Sequence, residues 1–130
     1  MSRDSLAPGE SATILVVDDE DTLRETICLH LSGIGYQVHS ASDGEMAVEM
    51  AQSLIPDLIV LDITMPKLNG WEVARHLRRD AKTAGIKLLM LSGIGGEVLH
   101  AGLPVLGGDL GLDKPFELEE LEDAIAKLLA

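Results

Sequence analysis

The sequence predicts an α/β fold, a parallel sheet covered by helices on both faces. Three observations carry this. Four short apolar runs, Ile14–Val17, Leu58–Leu61, Leu88–Leu91 and a weaker one at Leu110–Leu112, recur along the chain. Segments of helical periodicity separate the first three of them, and a long helical segment follows the last. Most of these runs end on or before a residue that is costly to bury: Asp18 and Asp19, Asp62, Ser92 and, past the weaker run, Lys114. In such sheets ligands gather beyond the carboxyl ends of the strands, at the point where the strand order reverses.

Each element has a local reason. Residues 1–12 are small and polar with a Pro8-Gly9 break, and read as a flexible lead; 13–130 forms one domain. Thr13–Val17 is the first strand. A helix is expected over Thr22–Ser32, with Leu23, Ile27, Cys28 and Leu31 on one face, stopped by Gly33-Ile34-Gly35. Tyr36–Ser40 alternates as a strand does, and Asp43-Gly44 turns into a helix over Glu45–Leu54 that Pro56 ends. Leu58–Leu61 is the third strand, Asn69-Gly70 precedes a helix from Trp71 to about Ala81, and Ile86–Leu91 is the fourth strand. Glu117–Leu129 is amphipathic, with Leu118, Leu121, Ile125 and Leu128 as its stripe.

Length and composition exclude several classes. At 130 residues, 46% apolar and 25% charged, the chain is one globular domain with room for a core. A net charge of −12 argues against nucleic acid or anionic lipid as a partner. Cys28 is the sole cysteine, so no disulfide forms within the chain, and the expected compartment is the reducing cytoplasm. No stretch approaches the length of a membrane span. The four histidines lack metal-ligand spacing, Gly93–Gly96 lacks the remaining residues of a phosphate loop, and Arg75, Arg78 and Arg79 read as a solvated helix face.

What remains is the constellation itself. Asp18, Asp62, Ser92 and Lys114 follow one another at intervals of 44, 30 and 22 residues. With Asp19 beside Asp18, three carboxylates, a hydroxyl and an ammonium at strand ends would together hold a divalent cation and a phosphoryl group. Singly, a lysine is usually a surface charge and a serine after a strand a turn residue. The four acids Asp18–Asp21 exceed what a helix N-terminus requires.

The segments Val16–Glu20 (VVDDE), Pro56–Pro66 (PDLIVLDITMP), Asn69-Gly70, Leu91-Ser92 and Asp113–Phe116 (DKPF), at those intervals, resemble the receiver domain of two-component response regulators. The resemblance spans Thr13 to the C-terminus. It implies a flavodoxin-like, three-layer α/β/α fold with five parallel strands in order 2-1-3-4-5 and five helices. It further implies that Asp62 is the phosphoacceptor, a carboxylate nucleophile forming an aspartyl phosphate. Asp19 would ligate Mg²⁺ directly, Asp18 through water, and the Thr64 backbone carbonyl and Asp62 would complete the protein ligands. Lys114, on a Lys-Pro bond typically cis in the family, would pair with one phosphoryl oxygen and Ser92 would hydrogen-bond another. The implied partners are a sensor histidine kinase or a histidine phosphotransfer protein, and a downstream protein. The chain is expected to be a stand-alone regulator, or else a receiver cut from a hybrid kinase.

The departures from the family pattern shape the expectation. The strand-five position usually held by Tyr or Phe, which swings inward on activation, is Gly111, and the small residue after the hydroxyl is Gly93. Six glycines and Pro104 between 93 and 108 predict a short or irregular fourth helix, and with it an order–disorder switch across 93–108 in place of the aromatic. Alternative readings are a phosphorylation-independent binding module, a phosphate sink, or an aspartate-nucleophile phosphohydrolase. Thr64 stands where such hydrolases place a second acid, so slow self-hydrolysis is expected instead.

Overall fold

A computed structural model of the chain describes residues 12–65, 68–93 and 107–130. These form β1 (Thr13–Val17), α1 (Asp21–Gly33), β2 (Gln37–Ala41), α2 (Gly44–Leu54), β3 (Leu58–Asp62), α3 (Gly70–Arg79), β4 (Lys87–Ser92), β5 (Leu110–Asp113) and α4 (Leu118–Leu129). All five strands are parallel, in the order β2-β1-β3-β4-β5, as expected for the flavodoxin-like fold. Four of the five expected helices lie among the described residues. The short one foreseen before β5, and most of the segment proposed to switch, falls on 94–106, outside them.

Side chains alternate across each strand, so the sheet builds two cores. On one face Leu15, Val17, Ile59, Leu61, Leu88 and Met90 pack against Ala47 and Ala51 of α2 and Val73 and Leu77 of α3. On the other Ile14, Val16, Leu58, Val60, Leu89 and Leu91 pack against Ile27 and Leu31 of α1 and Leu121 and Ile125 of α4. Each buried Leu or Ile stabilises the fold by about 1.5–3 kcal/mol. Burial on both faces is why β1, β3 and β4 read as continuous apolar runs rather than alternating ones.

Helix ends follow their caps. Asp43 accepts from the Met46 N–H at 2.8 Å and starts α2. Asn69 and Glu72 form a reciprocal capping box that starts α3. α3 ends at Arg79, two residues before the expected Ala81. There Asp80 turns extended, and the Thr83 hydroxyl donates to the Leu77 carbonyl at 2.7 Å. β2 begins at Gln37 instead of Tyr36, because the Tyr36 N–H is spent on the Leu31 carbonyl. Ala12, assigned to the lead, is buried, and its carbonyl accepts from Gln37.

The arginine face expected on α3 is corrected at one position. Arg75 and Arg79 are exposed, but Arg78 is not a solvated charge. Its Nε donates to the Gly107 carbonyl (2.9 Å) and its Nη1 to the carbonyls of Ala84 (2.8 Å) and Ile86 (2.6 Å). Its Nη2 meets the Asp109 carboxylate at 2.8 Å. The Asp109 carboxylate also accepts from the Leu88 N–H at 2.8 Å, so one guanidinium anchors the starts of β4 and β5 together.

Candidate functional site

The strands deliver their polar residues to one edge. Asp18 follows β1, Asp62 ends β3, Ser92 ends β4 and Lys114 follows β5. The register aligns them, with Val17 beside Leu61, Asp62 beside Leu91 and Ser92 beside Asp113. β1 and β3 are neighbours whose helical connections leave on opposite sides of the sheet, so the acids lie at the topological switch point.

Asp18 is fully buried and Asp62 only 3% exposed; Asp19 is exposed. One carboxylate oxygen from each of the three lies within 4.8 Å of the others. Lys114 Nζ stands 3.1 Å from Asp18 Oδ2 and 3.5 Å from Asp62 Oδ2, bridging β1 and β3 from beyond β5. The other oxygens are held by backbone: Asp18 Oδ1 accepts from the Glu20 N–H (2.9 Å), and Asp62 Oδ1 from the Thr64 N–H (3.2 Å). Ser92 is buried, and its carbonyl accepts from the Lys114 N–H at 2.7 Å. The Lys114–Pro115 bond is cis.

This packing has electrostatic consequences. Burial, and then the Asp18 charge, push the Asp62 carboxyl up to about 6; Lys114 and the Thr64 N–H oppose the rise, and Asp19 adds to it. Burial works against the Lys114 ammonium, but the Asp62 and Asp18 carboxylates outweigh it and hold its pKa above the ordinary value. Three carboxylates face one ammonium, leaving negative charge that a cation would offset. Hard oxygen donors from two strand ends suit a small divalent ion.

The structure thus brings together Asp18, Asp19, Asp62 and Lys114, with Ser92 at the adjacent strand end. Thr64, exposed, reaches the group through its N–H. Gly111 sits beside Met90 in the β5 register, with no side chain to move. Sequence reasoning does not single out Arg24, whose Nη1 donates to the Asp18 carbonyl at 2.8 Å. The available signal is weak: an arginine three residues after Asp21 on α1.

The model of the response regulator receiver domain matches residues 14–126. The chain belongs to this family. Receiver domains are signalling modules rather than classical enzymes. Over 120 residues the chain is 38% identical to the DNA-binding dual master transcriptional regulator RpaA of Synechocystis, covering 89% of this chain and 48% of that protein. It is 44% identical over 119 residues to response regulator MprA of Mycobacterium ulcerans, covering 92% of this chain and 50% of that protein. It therefore spans about half the length of the curated relatives it matches. Among solved structures it resembles the chemotaxis protein CheY4 of Vibrio cholerae, with a TM-score of 0.82 and 30% identity over 90% of this chain and 98% of that one. The receiver domain of Francisella response regulator 1452 is similar, with a TM-score of 0.83 and 28% identity over 92% and 97%. No helix among the described residues is long and apolar enough to cross a membrane.

Proposed function

We propose that this receiver domain accepts a phosphoryl group onto Asp62 from a phosphohistidine of a sensor histidine kinase or histidine phosphotransfer protein, with Mg²⁺ as cofactor. The setting is cytoplasmic, and the signal leaves through contact with a downstream protein. The observation that carries this reading is the arrangement around Asp62, a nearly buried carboxylate between two further acids and a lysine at the strand edge.

Mg²⁺ held by Asp18, Asp19, Asp62 and the Thr64 carbonyl would offset the negative charge that gathers when a carboxylate meets a phosphoryl group. The chain's own groups do the rest. A carboxylate oxygen of Asp62 forms a bond to phosphorus as the P–N bond to the donor imidazole breaks. The electron pair leaves with the imidazole nitrogen, which takes up a proton. The Thr64 N–H fixes the carboxylate plane at Oδ1. Lys114, already facing Oδ2, turns its ammonium to a phosphoryl oxygen once the Asp62 charge is consumed. The Ser92 hydroxyl donates to another. Slow loss of the phosphoryl to water follows, since Thr64 supplies no carboxylate to activate it.

One observation favours a second reading, a binding module uncoupled from phosphorylation: Gly111 lacks the side chain that would carry the switch. The test is exposure to acetyl phosphate with and without Mg²⁺, read by intact mass, beside Asp62→Asn. One added phosphoryl that needs both Mg²⁺ and Asp62 is expected. No adduct under any condition would leave the uncoupled module standing.

A further inference from the structure

We infer that Arg24 is a positioning residue for the acidic pair, its guanidinium fixing the peptide between Asp18 and Asp19 so that both carboxylates converge on one cation. The inference rests on the reading of Asp18 and Asp19 as metal ligands. Asp18 is held at every polar atom. Its N–H donates to the Ala41 carbonyl (3.3 Å), Oδ1 accepts from Glu20 and Oδ2 from Lys114. Its carbonyl accepts from Arg24 Nη1 at 2.8 Å. That carbonyl shares a rigid plane with the Asp19 N–H, so holding it sets the direction in which Asp19 leaves the chain. Asp19 is exposed and lies in the turn between β1 and α1, yet its carboxylate lies within 4.8 Å of two buried ones.

Arg24 is equipped for this. Its side chain is 14% exposed, and Nη2 pairs with Asp21 Oδ1 at 2.7 Å, so the planar fork grips a backbone carbonyl and a carboxylate at once. A lysine at 24 would keep the charge but lack the two separate nitrogens, Nη1 and Nη2, that hold the two partners here. The charge of Arg24 has the opposite effect to its grip. A cation beside the acids repels a second cation, so simple Coulomb repulsion predicts that neutralising Arg24 tightens Mg²⁺ binding. Positioning predicts that it weakens. The two explanations differ in sign.

The experiment titrates Mg²⁺ into the full chain, wild type, R24Q and R24K, by calorimetry and by the Mg²⁺-dependent shift in melting temperature. Melting in EDTA reports the fold of each variant separately. Roughly tenfold weaker binding is expected in both variants, as is common when an outer partner of a metal ligand is lost. Half-maximal Mg²⁺ for phosphorylation by acetyl phosphate should rise in parallel, while the rate at saturating Mg²⁺ stays within about twofold of wild type. Wild-type affinity in R24K, or tighter binding in R24Q, overturns the positioning role. If R24Q melts too low to titrate, R24K decides, because it keeps the charge and loses only the fork. A wild-type chain that binds no Mg²⁺ defeats the proposed function and this inference together; binding that the variants leave unchanged defeats this inference alone.

Discussion

Replacing Asp62 with Asn should stabilise the metal-free protein at neutral and alkaline pH. The Asp62 carboxyl is pushed from 3.8 to about 6 by burial and by the Asp18 charge. Between those values the native state holds a proton that the unfolded chain has lost, so stability falls as pH rises through the window. Below the window the penalty is absent; above pH 6 it is fully present. A shift of about two pH units at about 1.4 kcal/mol per unit makes it roughly 3 kcal/mol. Asn keeps an oxygen for the Thr64 N–H and removes the charge, though it also gives up the 3.5 Å approach of Lys114. Urea unfolding in EDTA should therefore show Asp62→Asn more stable than wild type by roughly 1–3 kcal/mol at pH 8, the gain vanishing near pH 4. Excess Mg²⁺ at pH 8 should shrink that lead, since binding to the native state alone adds up to about 2.7 kcal/mol at a hundred times Kd and wild type has the fuller set of carboxylates. A variant no more stable than wild type at pH 8 in EDTA, or a difference that does not change with pH, would show that the buried Asp62 charge carries no such penalty.

Three further substitutions probe the frame around the site. A Cβ at Gly70 would lie 2.5 Å from the Asp62 carbonyl oxygen and 2.7 Å from Ile63 Cα, both backbone atoms. Gly70→Ala should thus cost roughly 1–3 kcal/mol in urea unfolding and slow phosphorylation roughly tenfold by displacing the acceptor loop. Arg78→Met removes the anchor shared by β4 and β5; a loss of roughly 2–3 kcal/mol is expected, with faster hydrogen exchange at 110–113 than at 14–17. Ile55 caps α2 in the left-handed conformation (φ 43°) while 43% exposed. Ile55→Gly should raise stability by about 0.5–1 kcal/mol, relief of the β-branched strain outweighing the entropy of glycine.

Much of this fold is legible in the sequence because its strands are buried on both faces and its helices carry single stripes. Ile27 and Leu31, and Leu121 and Ile125, lie where periodicity puts them. Legibility stops where a residue's partners are assembled by tertiary structure. Arg78 looks like one of three surface arginines until the carbonyls of Ala84, Ile86 and Gly107 are folded around it. The end of α3 depends on the Thr83 hydroxyl reaching back to Leu77, a contact that helix propensity does not encode. At the site the contrast is the same. Asp18, Asp62 and Lys114 are visible because charge beside a buried strand is costly without a purpose. Arg24 is invisible because it binds a backbone carbonyl, and carbonyls leave no mark in sequence.

The site of phosphorylation can be read by locating the phosphoryl group itself. Borohydride reduces an acyl phosphate on aspartate to homoserine, which survives digestion and can be mapped by mass. After acetyl phosphate and Mg²⁺, homoserine at position 62 and nowhere else is the predicted result. Homoserine at Asp18 or Asp19, or intact aspartate at 62 despite added phosphoryl mass, would contradict it.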